Sequence, residues 1–98
     1  MTTLKVRAKL WHYPGPAGWH FITLPKKRAY EIKQSSKGPR PGWGSIRVTA
    51  TIGSTTWKTS LFPDAKSASY VLPVKSDVRA KEDLEEGDFV TLKLELPF

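Results

Sequence analysis

The chain has 98 residues, of which 39% are apolar and 11% aromatic, with no cysteine and a formal charge of +7. A chain of this length forms one domain with a single modest core, and its apolar content is too high for a disordered tail. Disulfides and cysteine-based zinc sites are excluded. No apolar run approaches the roughly 20 residues of a membrane helix, and the start Met1-Thr2-Thr3-Leu4-Lys5 has no apolar h-region. A single cytoplasmic domain spanning residues 1–98, with no membrane partner, is expected.

Residues 4–10 alternate strictly, with Leu4, Val6, Ala8 and Leu10 on one face and Lys5, Arg7 and Lys9 on the other. Period two marks a half-buried strand. The Pro and Gly residues of 13–18 make a loop, and residues 19–24 form a second, more continuously apolar strand. Pro25 suits the first turn of a helix. Residues 26–34 then form a short helix burying Ala29, Ile32 and Tyr30, and residues 35–44, dense in Ser, Gly and Pro, form a loop. Residues 45–52 alternate again, with Ile46, Val48, Ala50 and Ile52 inward. Gly53-Ser54 is a two-residue hairpin turn, and residues 55–61 return with Trp57, Thr59 and Leu61 on one face. Residues 62–69 form a loop around Pro63-Asp64. Residues 70–74 form a short strand that Pro73 assigns to an edge or an end. Ser76 and Asp77 cap a second helix over 78–84, residues 85–88 turn the chain, and residues 89–96 form the last strand, with Val90, Leu92, Leu94 and Leu96 inward. Six one-sided strands and two short helices predict a mostly β fold, a small barrel or tightly folded sheet. No internal repeat is visible.

Five segments occur in a characteristic order: Trp19-His20-Phe21-Ile22-Thr23-Leu24-Pro25, Arg40-Pro41-Gly42-Trp43-Gly44-Ser45-Ile46-Arg47-Val48, Trp57-Lys58-Thr59-Ser60-Leu61-Phe62-Pro63, Tyr70-Val71-Leu72-Pro73-Val74-Lys75 and Gly87-Asp88-Phe89-Val90. Together, over about residues 4–96, they resemble the bacterial domain-of-unknown-function family DUF1905. The resemblance implies a small closed six-stranded β-barrel of the double-split type. It carries over no catalytic residue, because the family has no assigned activity. The barrel type is similar to that of dimeric DNA-binding regulators and antitoxins, an analogy of fold alone.

The charge divides unevenly. Residues 1–60 hold 11 basic residues and one acid, a net +10, whereas residues 61–98 hold five basic and eight acidic residues, a net −3. A basic region can meet an anionic partner such as nucleic acid, or the two halves can lie against each other. The segment 37–45 invites a phosphate reading, in which glycines expose backbone N–H groups and Arg40 pairs bidentately with the anion. Its glycines precede a strand rather than a helix, so it is no P-loop, and a tight loop closed by Trp43 is the simpler reading. Arg47, Thr49, Thr51 and Lys58 form an outward strip. With Lys5, Arg7 and Lys9 this strip can track a phosphate backbone while Trp11 or Trp43 stacks on bases, or it is an ordinary solvated sheet face.

Trp57 is the best core candidate. Trp19, heading its strand, is also placed inside, and Trp11 and Trp43 are placed at a pocket on one barrel end. His12 and His20 lack the third protein ligand of a catalytic zinc site. Nothing sets Ser60 or Ser45 beside His20 as a nucleophile. The acids Glu82, Asp83, Glu85, Glu86 and Asp88 read as countercharge for the basic half, with Asp88 capping a turn.

The expectation is therefore a non-enzymatic binding module for an anionic small molecule or nucleic acid, without cofactor or metal. Arg40, Trp43, Arg47 and Lys58 are its tentative ligand-binding residues. The alternative is a protein-interaction domain forming a homodimer with no small ligand.

Overall fold

The computed structural model describes residues 2–35 and 44–98. The chain runs β1 (Thr2–His12), β2 (His20–Thr23), α1 (Lys26–Ser35), β3 (Ile46–Ile52), β4 (Thr55–Asp64), β5 (Ser69–Pro73), α2 (Ser76–Lys81) and β6 (Phe89–Leu96). The strands close into a six-membered antiparallel barrel in the order β1-β2-β5-β4-β3-β6. Closure leaves no long exposed edge.

The alternation seen in the sequence sets which side chains point inward. Val6 and Leu10 on β1, Ile46, Val48, Ala50 and Ile52 on β3, and Val90, Leu92, Leu94 and Leu96 on β6 are all buried. Leu10, Leu61, Leu72, Leu92 and Leu94 are wholly sequestered. Gly53 has φ +58°, the left-handed conformation of a tight hairpin turn between Ile52 and its partner Thr55.

Two long strands turn the corners of the barrel. β1 pairs with β6 through Thr2 to Lys9 and with β2 through Leu10 to His12. β4 pairs with β3 through Thr55 to Leu61 and with β5 through Phe62 to Asp64. Residues 62–64 are therefore strand rather than the expected loop. The backbone explains why Pro63 is tolerated there. Its partner Tyr70 turns its carbonyl away from β4 to accept a bond from Leu24 N–H at 2.9 Å, so the pair asks for no donor from position 63.

The order β1-β2-α1-β3 recurs as β4-β5-α2-β6, and exchanging the two halves maps the ring of strands onto itself. At the β2–β5 seam the bond from Leu24 N–H to the Tyr70 carbonyl has its counterpart in that from Val74 N–H to the His20 carbonyl, both 2.9 Å. Equivalent side chains, Leu10 and Leu61, Ile22 and Leu72, Leu24 and Val74, meet in one core. The sequence showed no repeat because the halves share only the apolar character of these positions.

The helices cover the barrel where the halves meet. α1 buries Ala29 and Ile32, while Tyr30 is 66% exposed, contrary to expectation. It lies one position from Ala29, and neighbouring helix positions point about 100° apart. α2 begins two residues before the predicted start. Lys75 holds the N-cap position without a side-chain cap bond, and Ser76 and Asp77 lie inside the first turn. Asp77 still complements the helix dipole there. The helix stops at Lys81 because Asp83 takes φ +53°. Leu84 N–H then bonds the Arg79 carbonyl at 2.9 Å and Asp83 N–H bonds the Ala80 carbonyl at 3.4 Å, the paired closure usually built on glycine.

Candidate functional site

The pairing of β4 and β5 follows a register in which residue numbers sum to a constant, from Asp64↔Ser69 to Phe62↔Val71. Continued, it would set Lys58 opposite Lys75. Pairing ends instead at Phe62↔Val71, where β4 turns its corner to pair with β3, and after Pro73 the chain turns into α2. The two segments diverge and leave a groove of about 360 Å³. Its walls are Trp57, Lys58 and Thr59 from β4, Pro73 to Ser76 and Arg79 from the β5–α2 junction, and Ala17 to His20 from the approach to β2.

Three cations converge on this groove, Lys58, Lys75 and Arg79, and among the described residues no carboxylate lines it. Lys75 and Arg79 are four residues apart, so the helical turn sets them on one face. Arg79 Nε donates to the Val74 carbonyl at 3.2 Å, which holds the guanidinium against the junction. His20 adds an imidazole whose Nδ1 lies 2.8 Å from the Gly18 carbonyl. In the neutral ring Nδ1–H donates there, leaving Nε2 as an acceptor.

The groove opens onto an aromatic platform. Tyr13, Trp19, Phe21, Phe62, Val71 and Pro73 surround an almost wholly apolar concavity of about 410 Å³, and Trp19 and Pro73 belong to both depressions. The Trp19 and Phe21 rings are parallel within 9°, with centroids 6.0 Å apart. Tyr13 meets Phe21 edge-on at 6.3 Å. Trp11, the cross-strand partner of Phe21, packs on it at 5.2 Å, and its Nε1 donates to Thr23 Oγ1 at 2.9 Å. Trp19, expected inside, is 54% exposed, beside Tyr13 at 52% and Phe62 at 45%. Ile22 faces the core, so period two puts Phe21 and Trp19 together on the outer face, and the bond from Tyr13 N–H to the Trp19 carbonyl at 2.8 Å continues the ladder there. Trp57 is half-buried and packs on the core from the groove side.

Of the four residues singled out from the sequence, Arg40 and Trp43 lie outside the described residues, as does most of the segment 37–45. Arg47 and Lys58 come together in a shallower groove of about 310 Å³. There Arg47 Nη1 donates to Ser60 Oγ at 3.2 Å, and Glu95 lines the same depression and opposes an anion. Lys58 lines both grooves. Lys5, Arg7 and Lys9 do not join it, because β1 and β4 stand three places apart either way around the ring. Arg7 and Lys9 instead lie over the exposed Phe89 ring, 5.2 and 5.5 Å from its centroid.

The acidic segment reaches hydroxyls rather than cations. Glu82 Oε2 accepts from Thr55 Oγ1 at 2.6 Å and Ser54 Oγ at 3.4 Å, strapping the end of α2 to the β3–β4 turn. Asp88 Oδ2 accepts from Glu85 N–H at 2.8 Å and closes its turn. None of the carboxylates of 82–88 pairs with a lysine or arginine among the described residues, whereas Glu31 pairs with Arg28 at 2.9 Å.

The histidines face each other across β1 and β2, ring centroids 4.9 Å apart. Among the described residues no third metal-ligating side chain joins them. Ser60 is engaged by Arg47. Among the described residues no helix is long and apolar enough to cross a membrane.

A family model described as a domain of unknown function, DUF1905, matches residues 7–94. The chain belongs to the DUF1905 family. The match begins within β1 and ends within β6, so it takes in all six strands of the DUF1905 barrel, both helices and every wall of the groove. A search of curated proteins found no match.

Sequence reasoning placed Trp19 inside and Phe62 in a loop, and it missed Lys75 and Arg79 for another reason. Dividing the charge along the chain put Lys75 and Arg79 in the acidic half, whereas the barrel folds them beside Lys58 from the basic half. The readable signal was local: a strand ended by Pro73, followed at once by two cations at helical spacing.

Proposed function

We propose that this barrel is a binding module for a phosphate-bearing anion, seated in the groove between β4 and the β5–α2 junction. The observation that carries the reading is the convergence of Lys58, Lys75 and Arg79 on one depression that no described carboxylate lines. A wall of this kind attracts anions over several ångströms, and the half-buried Trp57 limits competing water around the bound group. Arg79 supplies a planar fork for two phosphate oxygens. Lys58 and Lys75 supply point charges from opposite walls. Thr59 and Ser76 add hydroxyls to the same lining. Arg47 extends the positive surface along β4, with Glu95 marking where it ends.

The test is an anisotropy titration of a labelled abasic deoxyribose-phosphate oligomer at several salt concentrations. Three phosphate contacts give a log–log salt slope near roughly −2, since each contributes about −0.7 on a flexible strand. Replacing Lys58, Lys75 and Arg79 together by Gln should abolish the binding. Absence of binding at low salt, or a slope unchanged by the triple substitution, rejects the reading.

The apolar platform favours a second reading, a homodimer packed through Tyr13, Trp19 and Phe62. A protein that stays monomeric in sedimentation at high concentration argues against it.

A further inference from the structure

The aromatic platform extends the groove into a site for a more specific ligand, and we infer that this ligand is single-stranded nucleic acid. The inference rests on the anion-binding reading above and adds what the phosphates are attached to. Three of the five exposed large hydrophobic side chains of the described residues, Tyr13, Trp19 and Phe62, gather at this one place. Single apolar side chains scattered over a surface are ordinary, whereas these three are contiguous and bordered by polar groups. Their border decides the occupant. Trp19 and Pro73 form the edge shared with the groove, and beyond that edge stand Lys58, Lys75 and Arg79. An apolar peptide or a lipid tail would use the platform and leave the cations idle. An inorganic anion would use the cations and leave the rings bare. A strand whose bases are unpaired uses both, its phosphates following the cations and its bases lying on the rings, the combination by which single strands are held without sequence readout.

The rings suit that role. Trp19 and Phe21 lie parallel, and Phe21 is gripped between Trp19, Tyr13 and Trp11. The stacking surface is therefore set before a ligand arrives, and little side-chain freedom is lost on binding. Phe62 approaches from β4, the strand that also carries Lys58. One strand thus presents a ring and a cation four residues apart on the same side of the pleat.

The experiment compares an oligothymidylate with an abasic strand of the same length, using the whole chain. The base-bearing strand should bind about tenfold more tightly and quench tryptophan fluorescence. Trp19→Ala and Phe62→Ala should each remove most of that advantage, and Phe62→Ala, at a position outside the groove, should leave abasic binding unchanged. Trp19→Leu, which keeps the apolar bulk and lacks the ring, should behave as Trp19→Ala does and guards against a folding defect. A blunt duplex, whose bases are covered, should bind no better than the abasic strand. Equal affinity for the two single strands, or an advantage untouched by Trp19→Leu and Phe62→Ala, overturns this inference while the anion site stands. Failure of both strands to bind removes the anion site as well. A dimer that dissociates in Trp19→Ala, with unchanged affinity for oligothymidylate, assigns the platform to self-association instead.

Discussion

Substituting Gly53 by Ala tests whether the β3–β4 turn and the end of α2 act as one unit. Gly53 sits at φ +58°, where a Cβ costs about 1–2 kcal/mol. The added carbon would also meet the Glu82 carboxylate at less than contact distance. That carboxylate is the far end of a flexible side chain and can swing away, but doing so releases its bond from Thr55 Oγ1. Losing a half-exposed bond of this kind costs about 1 kcal/mol. The two effects together amount to roughly 2–3 kcal/mol, which for a domain of this size lowers Tm by at least roughly 10 °C. Thermal melts of the wild type, Gly53→Ala, Glu82→Ala and the double variant separate the contributions. In the Glu82→Ala background, Gly53→Ala should cost only the backbone part, leaving a coupling of about 1 kcal/mol. Strict additivity would refute the strap between α2 and the turn. A loss below about 0.5 kcal/mol in the single variant would refute the backbone argument itself.

Two further substitutions probe the fold. Asp83→Gly should stabilise the protein by about 0.5–1 kcal/mol, because it relieves a left-handed non-glycine residue and removes an anion from a helix C-terminus; urea denaturation should show a raised midpoint with an unchanged slope. Leu72→Ala, which empties a wholly buried position at the β2–β5 seam, should cost about 2–5 kcal/mol, and far-UV circular dichroism should show loss of the barrel at a temperature where the wild type is folded.

Much of the barrel could be read from β1, β3 and β6, where apolar residues alternate with polar ones and the apolar face is buried or half-buried. The Gly53-Ser54 turn followed from its neighbours, since two alternating runs flank a pair of turn-forming residues. Elsewhere the deciding facts were not local. Pro63 and Asp64 carry turn chemistry and yet belong to β4, because Leu24 engages the Tyr70 carbonyl on the far side of β5. Trp19 is a large apolar residue and yet lies at the surface, because it shares the outer side of the pleat with Phe21 while Ile22 faces the core. The site shows the same division. Lys58 was found from its outward position on a strand. Lys75 and Arg79 became its neighbours only through the divergence of β4 and β5, which no single segment encodes.

The matching order of the two halves has a consequence for how such a barrel can be assembled. Apart from the β1–β2 pairing, every ladder joins one half to the other or closes at the β4–β5 corner. Neither half alone has a sheet with both faces satisfied. Two copies of a single β-β-α-β segment, of about half this length, would nevertheless generate the same ring of strands around a true dyad. The Gly53-Ser54 turn is then the splice that makes one polypeptide of two. Cutting there should yield fragments that are unfolded apart and reconstitute on mixing. In the single chain the two corners carry different side chains: the cations Lys58, Lys75 and Arg79 stand on β4, the β5–α2 junction and α2, whereas the rings of Tyr13, Trp19 and Phe21 come from β2 and the turn before it.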